Sequence, residues 1–166
     1  MAIQRLIDIL NQLDDVHQSM LVSGQTKKEA IIKDDINALI QIMNQESRMM
    51  KQITSLEEER VAACQAFLRE KGIKSALNLN ITELARLVFD PEKKAALQQA
   101  QSALSMTLEK LKRVNDLNQQ LLAQSLTFID YSLNLFGGGP EYEATYQHPS
   151  GNSNTGPITG LFDARA

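Results

Sequence analysis

The sequence predicts an all-α fold: an elongated antiparallel bundle of long helices with one short helix and a flexible C-terminal tail. Three observations carry that expectation. Leu, Gln, Ala, Glu and Lys dominate the 166 residues, while aromatic side chains make up 5% and tryptophan is missing, a helix-forming composition. Of four prolines, Pro91 alone precedes residue 140, so long helices need not be interrupted. Apolar residues recur at spacings of three and four over long stretches, the period of one helix face.

The first helix is expected from about residue 2 to 32. Ile3, Leu6, Ile7, Leu10, Leu13, His17, Met20 and Leu21 share a register that continues through Gly24 and Lys27 to Ile31. Gly24 lowers helix propensity by roughly 1 kcal/mol, so a break at Ser23-Gly24 is the alternative. A turn near Lys33-Asp34 follows, with Asp34 or Asp35 placed to accept from the free amides of the next helix. That second helix keeps its period through Ile36, Leu39, Ile40, Met43, Met50, Ile53, Leu56, Val61, Cys64, Phe67 and Leu68. Gly72 is its candidate C-cap. So short a turn makes the two helices antiparallel neighbours.

Residues 73 to 80 read as a connector. Asn80 with Glu83 forms a capping box opening a short helix whose apolar face is Ile81, Leu84, Ala85 and Val88. Asp90-Pro91-Glu92 is a second start signal, with the cap, the first-turn proline and an acid in order. From there the pattern runs to about Phe136, roughly 45 residues and roughly 68 Å if straight. The domain boundary falls here: residues 1–136 form the helical bundle. Residues 137–166 form a Gly/Pro/Ser-rich tail with a terminal apolar motif, Ile158, Leu161, Phe162 and Asp163. Such a tail cannot bury enough surface to offset its ordering entropy.

The balance of 17 basic against 20 acidic side chains, formally −3, lacks the basic field of a nucleic-acid binder. MAIQRLIDILNQLDD carries acids from Asp8 and no long apolar run, so neither a signal peptide nor membrane insertion is expected, and the default location is cytoplasmic. Cys64 is the single cysteine, which excludes a disulfide or thiolate cluster within one chain; it reads as a buried helical thiol. His17 reads as a core or boundary histidine. His148 stands beside Pro149 in the tail, where nothing orients it for proton transfer. No catalytic constellation, metal site or cofactor site is evident, and a non-enzyme is expected. The three-glycine run follows a helix, whereas a phosphate cradle precedes one.

The informative stretch is NQQLLAQSLTFIDYSLNLFGGGP, residues 118–140. Upstream, Ala96, Leu97, Ala100, Leu104, Leu108 and Leu111 make a single stripe. After Val114 the stripe doubles: Leu111, Asn118, Leu122, Ser125, Ile129, Ser132 and Phe136 on one side, Val114, Leu117, Leu121, Phe128, Tyr131 and Leu135 on another, with Leu126 and Leu133 further round. Either three helices meet here and shelter every face, or the surface is open to a helix of another protein. Met43, Met49, Met50 and Met106 suit either a core or an adaptable interface. A structural coiled-coil scaffold or adaptor is the rival function class, with a monomer favoured over a dimer because three chained helices can cover one another.

VNDLNQQLLAQSLTFIDYSLNLF (Val114–Phe136), in a late helix that reads K-x-V-N-x-x-N-x-x-L from Lys112 to Leu121, resembles the signature of the FlgN family of flagellar export chaperones. LEEERVAACQAFL (Leu56–Leu68) resembles its second-helix pattern, and KDDINALI (Lys33–Ile40) and the ending LFDARA (Leu161–Ala166) are similar to Bacillus-type members. The resemblance implies a cytoplasmic helical chaperone. Such a protein holds the C-terminal helical regions of the hook-filament junction proteins, prevents their premature association and delivers them to the export gate. It implies client binding by Val114, Leu117, Asn118, Leu121, Leu122, Ser125, Phe128 and Ile129. It implies export-gate binding by Tyr131, with Tyr142 and Tyr146 as alternatives. The long tail is not a general feature of that family.

Overall fold

The computed structural model describes residues 1–74 and 79–137. The tail from residue 138, and the centre of the connector, lie outside the described residues. The chain divides into two compact units, Met1–Ser125 and Leu126–Ala166. Four helices make up the regular structure of the described residues: α1 (Ala2–Ile32), α2 (Ile36–Glu70), α3 (Ile81–Arg86) and α4 (Pro91–Gly137). The all-α class and the order of the helices are as the sequence predicts, and Gly137, assigned above to the tail, closes α4.

Local chemistry accounts for each boundary. At the end of α1, Asp34 takes a left-handed conformation (φ 53°). The amides of Asp34 and Asp35 donate back to the Ile31 and Ala30 carbonyls at 3.2 and 2.9 Å, the paired bonds of a Schellman turn. The Asp35 carboxylate then accepts from the Ala38 amide at 3.0 Å and caps α2. One aspartate thus ends a helix and the next one starts another. Gly72 (φ 74°) closes α2 in the same way, its amide and that of Ile73 donating to Arg69 and Leu68. Asn80 and Glu83 exchange bonds of 2.8 and 2.9 Å in the predicted capping box. Asp90 accepts from the Glu92 amide at the start of α4.

In the first unit α1 is the central element. α2 packs antiparallel against it, and α4 runs parallel to it. Lys93 Nζ lies 3.6 Å from Met1 Sδ and Asn118 bonds to Gly24, sequence separations of 92 and 94, so the two helices climb together in register. The core forms around Leu6, Leu10 and Leu13 of α1, with Leu56, Ala63 and Phe67 of α2, Leu84 of α3 and Leu97 and Ala100 of α4. It therefore sits at the N-terminal half of α1, where the short helix adds a fourth element.

Three expectations are settled by this packing. The helix does not break at Ser23-Gly24. Gly24 is buried, and an added Cβ there would meet Val114 Cγ1 at 2.9 Å; the glycine lets α4 approach. The register proposed for α2 is partly wrong, since Ile36, Ile40, Met43, Met50 and Val61 are exposed while Ile42, Leu56, Ala63, Phe67 and Leu68 are buried. The hairpin turn fixes which of two adjacent apolar stripes meets α1. Finally, the reading of the end of α4 as a sheltered junction fails, because its large apolar side chains are exposed.

Candidate functional site

Within the first unit the candidate residues divide by burial. Val114 is half-buried against Gly24. Asn118, 3% exposed, donates from Nδ2 to the Gly24 carbonyl at 2.8 Å, and its Oδ1 has no partner. Both therefore fasten α4 to α1. A carbonyl has a second lone pair beyond its helical bond, which is how a mid-helix glycine can accept this amide. Leu117 is exposed, whereas Leu121, Leu122 and Ser125 are half-buried.

The second unit opens with the last turns of α4, LTFIDYSLNLFG. Leu126, Phe128, Ile129, Tyr131, Leu133, Leu135 and Phe136 are all exposed, Phe128 at 69%, Tyr131 at 62% and Phe136 at 88%. Ser132 is half-buried. Asp130 is the single charged side chain in this stretch. A run of large apolar residues with so little charge is what an interaction surface presents. Leu126, Leu133, Leu135 and Phe136 belong to this exposed run but were not among the predicted contacts; the signal was in the sequence, since they stand in the same nearly uncharged stretch before the glycines.

The rest of the described chain offers a different chemistry. His17 is buried and its Nδ1–H donates to the Leu13 carbonyl at 2.6 Å, which fits the structural role read from its position. Cys64 is half-buried, and burial pushes its thiol above the ordinary range although Arg60 opposes the shift. It is a poor nucleophile at neutral pH. Among the described residues no three His, Cys, Asp or Glu side chains gather as a metal site. No described helix is long and apolar enough to cross a membrane. A groove of about 440 Å³ lies between α1 and α2, bordered by Val22, Ile42, Arg48 and Met49.

Comparison with known proteins decides the family. The model of the family described as "FlgN protein" matches residues 1–154. The chain belongs to the FlgN family. The match takes in every candidate contact and stops before LFDARA, so that ending contributes nothing to the assignment. A protein of Bacillus subtilis (strain 168) described as "Uncharacterized protein YvyG" is 30% identical over 135 residues, covering 81% of each chain. No solved structure matches. FlgN-family membership is consistent with a flagellar export chaperone and with interaction with flagellar proteins.

Proposed function

We propose that this protein is a cytoplasmic flagellar export chaperone. It covers the C-terminal helical regions of the hook-filament junction proteins, keeps them from associating early and delivers them to the export gate. The observation that carries the reading is the exposed, nearly uncharged end of α4 in a FlgN-family chain. A client helix with one apolar face would aggregate if left in water. Covering it takes an interface of roughly 800 Å² per partner and needs neither a nucleotide nor covalent chemistry.

The proposed client contacts are Leu117, Leu121, Leu122 and Ser125 in the first unit and Phe128 and Ile129 in the second. Val114 and Asn118 serve by holding α4 on α1. Tyr131, whose ring combines an apolar body with a polar tip, is the proposed contact with the export gate. The test is co-purification of the full chain from the native cytoplasm with mass identification of what it holds. Recovery of the junction proteins, lost on Phe128→Asp together with Ile129→Asp, is the expected result. Recovery of none of them overturns the reading.

A scaffold role has one observation in its favour: Ile36, Ile40, Met43 and Met50 form an exposed stripe on α2 at spacings of four, three and seven, the pattern of a coiled-coil seam. Light scattering separates the two. A chaperone is a monomer when free and forms a defined complex with a client helix, whereas a scaffold self-associates without one.

A further inference from the structure

The apolar end of α4 faces a difficulty of its own before any client arrives. Phe128, Leu135 and Phe136 are exposed, and a bare surface of this kind drives non-specific association. The same chain carries a candidate cover. Beyond Gly137, the Ile, Leu, Val, Met and Phe side chains are Ile158, Leu161 and Phe162, all near the C-terminus. One cation is available to pair with Asp130, beside Asp163 in the same segment. Asp130 is the one charged residue on this part of α4, and Arg165 is the one Lys or Arg beyond Gly137. Among the described residues Asp130 has no ion-pair partner.

Reach favours the contact. About 25 residues of Gly- and Ser-containing chain span roughly 25–30 Å on average, while Leu126–Phe136 covers about 15 Å of helix. Gly137, Gly138 and Gly139 permit a reversal of direction without steric strain, and Pro140 cannot continue the helix. A tether of this length gives an effective concentration in the millimolar range, so even a weak contact is substantially occupied.

We propose that the C-terminal segment Ile158–Arg165 is the resident occupant of this face, with Leu161 and Phe162 against the apolar side chains of α4 and Arg165 paired with Asp130. The inference rests on the reading of this face as a helix-binding surface and adds that a client must displace the chain's own end. The segment lies beyond the residues matched by the family.

The experiment uses the full chain carrying Cys64→Ser and Ala164→Cys with a nitroxide on the new thiol. Amide signals of Leu126–Phe136 are expected to broaden in the isotope-labelled, spin-labelled molecule. They should not broaden when the nitroxide is on a second, unlabelled molecule. Arg165→Asp should weaken the effect, and adding Asp130→Arg should restore it. A check without a new cysteine compares those amides between the native chain and Phe162→Ser, where shifts confined to Leu126–Phe136 are expected. No broadening, broadening only between molecules, or broadening confined to Met1–Ser125 overturns the proposal. The two readings fail separately. If a client C-terminal peptide binds but Phe162→Ser leaves its Kd unchanged, instead of tightening it about threefold or more, the cover is wrong and the chaperone stands. If the amides broaden as expected and no client peptide binds, the reverse holds.

Discussion

At the residue scale, a few side chains hold conformations or contacts that their neighbours could not. Asp34 occupies a left-handed position that glycine adopts without strain. Asp34→Gly should therefore raise stability by about 0.5–1 kcal/mol, and Asp34→Val should lower it by about 1–2 kcal/mol, read from urea midpoints at constant slope. Gly24 poses the opposite case. Alanine there gains about 1 kcal/mol of helix propensity but drives a Cβ to 2.9 Å from a stiff, β-branched Val114. Overpacking of this kind costs about 1–3 kcal/mol, so Gly24→Ala should be net destabilising, and Val114→Ala in the same chain should recover most of the loss. Cys64 yields a pH prediction. Its folded thiol holds its proton to higher pH than an unfolded one, so the folded state binds more protons once the unfolded thiol ionises near about pH 8.5. Stability from this group is complete below that pH and declines as pH rises through the folded value. Alkylation at pH 9 should accordingly be several-fold slower in the folded chain than in urea. The sequence placed Gly24 and Cys64 on an apolar register but could not show what each touches.

At the scale of helices, the joints were legible because their chemistry is local. Asp35, Gly72, the Asn80–Glu83 pair and Asp90-Pro91 act within a few residues of themselves, and each cap lies where its side chain, or for Gly72 the lack of one, allows it. Which face of a helix is buried is another matter. α2 carries two adjacent apolar stripes, and its period alone does not rank them. A half-buried polar contact helps fix the choice: Lys27 Nζ lies 2.6 Å from Glu46 Oε2, and Ser23 donates to the same carboxylate at 3.4 Å. Removing the acceptor leaves a sheltered cation without its partner. Glu46→Ala should cost about 2 kcal/mol by chemical denaturation, whereas Glu59→Ala, at an exposed Arg5 pair 3.2 Å apart, should change stability by less than about 0.5 kcal/mol.

At the scale of the molecule, the core and the proposed client contacts at Phe128 and Ile129 are different residues. The core around Leu6, Leu10 and Leu13 belongs to the first unit, so Leu10→Ala should cost about 2–5 kcal/mol. Phe128→Ser, at an exposed side chain outside the core, should leave the melting temperature nearly unchanged while weakening client binding tenfold or more, as loss of an aromatic anchor does. Calorimetry and peptide titration on the same two variants check that separation. The sequence by itself determined the helical class, the order and limits of the helices and, through its resemblance, the family. Those features follow from propensity, capping and the order of residues along the chain. Only the tertiary structure decided that Asn118 is spent on fastening α4 to Gly24, that Ile36, Ile40 and Met43 are exposed, and that none of the other described residues shelters the large apolar side chains of Leu126–Phe136. Periodicity tells a residue which side of its helix it shares, but whether another helix lies against that side depends on contacts between residues far apart in sequence.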